Sequence, residues 1–164
     1  MTFWRTLVVV SLTLSAVACS KGPQEQARDK LVGQMGVPWA AGNFLEAARN
    51  GKDDVVALFL DGGIDSETAD EQGRTALILA TRENHPGTVQ TLLQKGADPN
   101  NIDHDGKTAL IWACEGDHIA VVLVLLKKGT NVTAIANDGT TALSAANKQG
   151  DAELVKLLVA AGAT

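Results

Sequence analysis

Asp103-His104-Asp105-Gly106-Lys107-Thr108-Ala109-Leu110-Ile111-Trp112-Ala113 decides the reading of this chain, because its skeleton occurs three times. Gly106, Thr108, Ala109, Leu110 and Ala113 repeat Gly73, Thr75, Ala76, Leu77 and Ala80, and return as Gly139, Thr141, Ala142, Leu143 and Ala146. The step is 33 residues each time. A fixed period of this size marks a stacked array of small units, each contacting only its neighbours.

Every unit follows one physical script. A glycine-containing turn (Asp70-Glu71-Gln72-Gly73, Asp103-His104-Asp105-Gly106, Ala136-Asn137-Asp138-Gly139) leads to a threonine. Thr75, Thr108 and Thr141 are placed as N-caps, whose hydroxyls accept from orphan amides of the first helical turn. A first helix is expected to about residues 83, 116 and 149. A second follows, with the apolar pairs Val89/Leu92, Val122/Leu125 and Val155/Leu158. Gly96, Gly129 and Gly162 stand just past it, where a left-handed C-cap favours a residue without Cβ, and Asp98-Pro99-Asn100 opens the next turn. Helices this short are unstable alone. The array must therefore fold as one all-α solenoid with a continuous core.

The repeated G-x-T-A-L-x-x-A resembles the G-x-T-P-L-H-x-A of ankyrin repeats. Gly96-Ala97-Asp98-Pro99-Asn100 resembles that family's G-A-D-x-N, and residues 43–65 resemble its N-terminal capping repeat. The resemblance covers about residues 40–164 and implies four units: a capping repeat at 39–69, then repeats at 70–102, 103–135 and 136–164. It also implies helix–turn–helix units with short hairpin-like turns, and protein binding. Ala76, Ala109 and Ala142 replace the motif's proline, which suits a helix. Ile78, Ile111 and Ser144 replace its histidine, which in the family braces the loop. Gly42 stands where the first unit's threonine would be, so that unit should lack its hairpin.

The start of the chain reads as an export signal over residues 1–18: Arg5, then the apolar run Leu7 to Leu14, then small residues before Cys19. Leu14-Ser15-Ala16-Val17-Ala18-Cys19 resembles a bacterial lipobox, which implies lipidation of Cys19. Ser20 after it implies the periplasmic face of an outer membrane. The alternative is an ordinary signal cut after Ala18, giving a soluble periplasmic or secreted protein. The apolar run is short for a bilayer span, and no later run suggests a transmembrane helix. Residues 19–38, broken by Gly22, Pro23, Gly33, Gly36 and Pro38, read as a flexible tether with room for a short helix in Gln24–Met35 and a reach of roughly 25 Å.

The chain carries 14 Lys+Arg against 19 Asp+Glu, a net charge of −5. Loss of residues 1–18 would remove only Arg5. This balance disfavours nucleic acid, whose phosphates demand a basic face, and suits a protein partner. With Cys19 lipidated, Cys114 has no partner, so no disulfide framework is expected and the fold must rest on packing.

Little in the sequence suggests catalysis. His85 and His118 recur because the unit recurs, and equivalent positions about 10 Å apart cannot share a metal whose ligands lie at about 2.1 Å. Cys114, Asp117 and His118 look like a Cys–His pair, but Cys114 fills a slot taken by Thr81 and Asn147, which suggests a small packed side chain. No metal, cofactor or enzymatic activity is expected.

A binding face is easier to draw. Turn tips and first helices would present Glu71, Gln72, Arg74, His104, Asp105, Lys107, Asn137, Asp138 and Thr140, extended by Arg82, Glu83, Glu115, Lys148 and Gln149. Trp112 stands where the sister repeats have Leu79 and Ala145. It reads equally as a binding hot spot or as core. Trp39 is placed to cover the apolar edge of the first repeat. Leu154-Val155-Lys156-Leu157-Leu158-Val159 leaves the last repeat apolar where a terminal unit should be polar, so a monomer with weak self-association there is expected. The resulting expectation is an envelope lipoprotein that inhibits, or confers immunity to, a periplasmic enzyme such as a cell-wall hydrolase or lipase. An envelope stress scaffold and a small-molecule carrier or enzyme are the alternatives.

Overall fold

The computed structural model describes residues 22–163. Among these are nine α-helices: α1 (Pro23–Asp29), α2 (Ala41–Arg49), α3 (Asp53–Asp61), α4 (Ala76–Arg82), α5 (Pro86–Gln94), α6 (Ala109–Glu115), α7 (Ile119–Leu126), α8 (Ala142–Gln149) and α9 (Ala152–Ala160). From α2 onward they form four pairs. The first helices α2, α4, α6 and α8 stack side by side as an inner row, while α3, α5 and α7 stack as an outer row. The result is an all-α repeat solenoid. Among the described residues no helix is long and apolar enough to cross a membrane.

Local chemistry starts each inner helix. The hydroxyls of Thr75 and Thr108 accept from the amides of Ile78 and Ile111, both at 3.4 Å. Thr141 accepts from Ser144 at 3.1 Å, and Ser144 Oγ accepts the Thr141 amide at 2.9 Å, closing a reciprocal capping box. The residues just before these helices pair as single antiparallel bridges, Ala69 with Thr75, Ile102 with Thr108 and Ile135 with Thr141. The first unit starts instead at Ala40 with no side-chain cap.

A left-handed residue ends each inner helix at one repeat position: Gly51 (φ 66°), Asn84 (φ 56°), Asp117 (φ 57°) and Gly150 (φ 81°). Asn and Asp tolerate this conformation better than other side chains. The turn after α2, α4, α6 and α8 is thus set by backbone geometry rather than by one residue type.

Packing separates internal from terminal repeats. In α4, every residue from Ala76 to Thr81 is buried; in α6, all but Trp112 and Glu115 are. Ile78 and Ile111 face a following repeat and are 1% and 0% exposed, whereas Ser144 in the same register is exposed. Thr81 and Cys114 are fully buried, and their counterpart Asn147 is exposed. The expected apolar end is met in part, on α9, where Val155 and Leu157 are only half-buried. The last inner helix carries a polar outer face, and on α9 the residues Leu154 and Leu158 are buried, leaving Val159 as its exposed large hydrophobic. Thr81 Oγ1 is buried without a hydrogen-bond partner. Replacing Thr81 by valine keeps the shape and removes that unmet group, so it should raise stability by about 1 kcal/mol. A higher urea midpoint at unchanged slope is the expected reading.

The N-terminal segment also departs from expectation. Rather than a free tether, α1 continues through a π-helical turn, Lys30–Gln34, and packs on α3. Leu31 is fully buried and Ala27 nearly so. The Arg28 Nε donates to the Gly62 carbonyl at 2.9 Å, and its guanidinium lies 4.7 Å from the Trp39 ring centre. Trp39 in turn packs on Phe59 at 5.1 Å, and Phe59 on Phe44 at 5.8 Å. The glycines and prolines suggested an open linker, but the apolar end of the first repeat needed a cover and Leu31 with Trp39 supplies one. Residues 1–21, with the export segment and Cys19, lie outside the described residues.

Candidate protein-binding face

Clefts open between successive inner helices. Gly42, Leu45, Arg49 and Leu79 line one, Arg82, Trp112 and Glu115 the next, and Glu115, Ser144 and Lys148 a third. The hairpins rise beside them and are tied to one another. The His104 amide donates to Gln72 O at 3.0 Å, the Asn137 amide to Asp105 O at 3.0 Å, and the Asn137 side-chain amide to His104 O at 3.0 Å. These bonds hold the tips in a ladder, with no need for the histidine that Ile78, Ile111 and Ser144 replace.

A buried or half-buried aspartate organises two of the hairpins. Asp70 Oδ1 accepts from the amides of Gln72 and Arg74, both at 3.0 Å, and its Oδ2 from Arg74 Nε at 2.8 Å. Burial pushes the Asp70 carboxyl up, but hydrogen bonds from the Arg74 side chain, the Arg74 amide and the Gln72 amide outweigh it and hold the pKa below the usual range. Asp103 accepts from Asp105 and Lys107 in the same way, at 3.0 and 2.9 Å. Its second oxygen does something different: it accepts the Trp112 indole N–H at 2.7 Å. The third hairpin has Ala136 in that slot. Asp138 bonds the Thr140 amide instead, which lowers the exposed carboxyl's pKa.

Trp112 therefore stands between the two readings drawn from sequence. It packs on the core from one side and is only partly buried. Arg82 lies 4.4 Å and Lys107 Nζ 4.6 Å from its ring centre, within cation–π range. The indole is held by the Asp103 bond and bordered by two cations.

The other expected contact residues divide into two sets. Glu71, Gln72, His104, Asp105, Asn137 and Asp138 are exposed at the tips. Arg74 and Lys107 are not freely available. Arg74 binds Asp70 at 2.6 Å and Gln72 Oε1 at 2.8 Å, and Lys107 binds Glu115 at 2.6 Å. Sequence reading missed Asp103 as the support of Trp112. It also missed Ile102 and Ile135, which are 59% and 68% exposed on adjacent hairpins; their recurrence one period apart was the available signal.

His85 and His118 have structural partners. Their Nε2 atoms meet the carbonyls of Arg49 at 3.0 Å and Arg82 at 3.2 Å, at the ends of the preceding inner helices. Gln149 Nε2 donates to Glu115 O at 2.6 Å and does the same for α6. Among the described residues no group of three His, Cys, Asp or Glu could hold a metal. His118→Ala should cost about 1 kcal/mol by stripping one helix-end carbonyl of its donor. Denaturant titration should show that loss, and a chelator should leave the wild-type curve unmoved.

Cys114 is fully buried. Burial, helped by Asp117 and Glu115, pushes its thiol up to about 12. It is a packed side chain, far from the reactive Cys–His pair its neighbours suggested.

A family model described as ankyrin repeats in three copies matches residues 44–103 and 99–164. The chain belongs to the ankyrin repeat family. No curated protein matches it. Ankyrin repeats are protein–protein interaction modules, in general binding scaffolds rather than enzymes.

Proposed function

We propose that this ankyrin repeat protein docks on an enzyme of the bacterial cell envelope and blocks it sterically, as an inhibitor or immunity protein. Trp112 carries the reading: a partly exposed aromatic, hydrogen-bonded to Asp103 and flanked by Arg82 and Lys107. An anchor held in place before binding loses little freedom on docking. The laddered hairpins around it make a preformed surface that needs little rearrangement. The lipobox-like residues Leu14–Cys19 support the compartment.

Lipidation at Cys19 would also set the protein's height above the bilayer. Only Ser20, Lys21 and Gly22 separate Cys19 from α1. That step spans at most about 14 Å when fully extended. With α1 packed on α3, the array would sit against the membrane and not on a loose leash, and its partner would be membrane-apposed.

Affinity capture from envelope extract, followed by hydrolase assays with and without the chain, tests the proposal. An envelope hydrolase recovered by the wild type and inhibited on mixing is the expected result. Recovery of a partner whose activity is unchanged would remove the inhibitory role. Cys19→Ser should shift the protein from the membrane to the soluble fraction.

A further inference from the structure

We propose that the C-terminal half of the inner face receives an acidic, leucine-containing segment of the partner, extended across α4, α6 and α8 with carboxylates at Arg82 and Lys148. This rests on the protein-binding reading and specifies what is bound. Arg82, Glu115 and Lys148 occupy one repeat position at the ends of three adjacent inner helices. Glu115 in the middle is neutralised by Lys107 at 2.6 Å. Among the described residues neither Arg82 nor Lys148 forms an ion pair, and the Arg82 guanidinium lies over the Trp112 ring. Two unpaired cations thus flank a neutralised centre beside a half-buried aromatic.

The surroundings agree. The large apolar side chains exposed on the hairpins, Ile102 and Ile135, belong to these same repeats, while the first hairpin has Ala69 in their register. Asp105 and Asp138 lie at the hairpin tips, and Glu83 caps the helix just past Arg82. The hairpin cations Arg74 and Lys107 are paired, so the unpaired ones stand at the helix ends, in a chain whose net charge is −5.

Spacing gives the segment its pattern. Packed helices stand about 10 Å apart, so Arg82 and Lys148 are separated by roughly 20 Å. An extended chain rises about 3.3 Å per residue. Carboxylates about six residues apart would reach both cations, with an apolar side chain between them over Trp112. Charge-assisted hydrogen bonds to guanidinium and ammonium would hold the ends.

The test is an NMR titration of the full chain, following the Trp112 indole N–H, with two capped peptides. One contains Glu-x-Leu-x-x-x-Glu with serine at x, which sets Leu and both Glu on one face of the extended chain; its twin has Lys for both Glu. Net charge alone would favour the Lys twin. Tighter binding of the Glu peptide, with a shift of the Trp112 indole signal, is the expected result. Arg82→Glu/Lys148→Glu should weaken that binding at least tenfold. Arg82→Gln/Lys148→Gln, which adds no new repulsion, should weaken it at least threefold with unchanged circular dichroism. Equal or tighter binding of the Lys twin, or affinity unmoved in both double variants, overturns the inference. So does an envelope partner that both variants still hold at wild-type strength, an outcome that leaves the binding function itself standing.

Discussion

Cys114 in the folded chain should react with an alkylating reagent about three orders of magnitude more slowly than a free cysteine at pH 7.5. A free thiol has a pKa near 8.5, and Cys114 is pushed up to about 12. The thiolate is the nucleophile, so the ratio of thiolate fractions sets the factor, and full burial slows reagent access further. A Cys19→Ser chain isolates the signal. Rapid labelling of the folded form would sink the packed-thiol view, while labelling in urea should reach the ordinary rate. The same shift links stability to pH. Folding favours the protonated thiol, so its contribution is complete below about pH 8.5 and is lost as the pH rises toward 12. Cys114→Ala should flatten that alkaline decline.

Trp112→Ala should weaken binding of the captured partner roughly thirty-fold or more, the size of a hot-spot truncation of about 2 kcal/mol. The change also strips Asp103 Oδ2 of its donor, so a moderate drop in melting temperature is expected with it. Trp112→Phe separates the two effects. It keeps an aromatic beside Arg82 and Lys107 and loses only the indole bond, so it should keep much of the affinity. A thirty-fold loss in the alanine variant with near-normal binding by the phenylalanine variant supports a contact role. Partner binding untouched by alanine, with stability collapsing, would mark Trp112 as core alone.

The behaviour of Trp112 shows where sequence reading stops. Its repeat position was legible, as was the inner helix carrying it. What could not be read was Asp103, nine residues earlier, turning its second carboxylate oxygen onto the indole. Asp70 occupies the same slot and spends that oxygen on Arg74 instead. One motif position thus has two outcomes, because Asp103 has the indole donor of Trp112 on its own inner helix where Asp70 has only Leu79. The charge of the face shows the same limit. Arg74 and Lys107 read as contact residues by position, yet each is paired within its own repeat, while Arg82 and Lys148 form no ion pair among the described residues.

Sequence by itself determined the 33-residue unit, its helices and its threonine caps. These depend on bonds closed within a few residues, such as Thr75 with Ile78 and Thr141 with Ser144. The tertiary structure decided that residues 23–34 cover the first repeat, that His85 and His118 bond backbone carbonyls 36 residues back, and that Ser144 and Asn147 give the last repeat a polar edge. Each of these depends on which repeat lies alongside. The same register position is core between two neighbours and surface at an end, as Ile78 and Ile111 against Ser144 show.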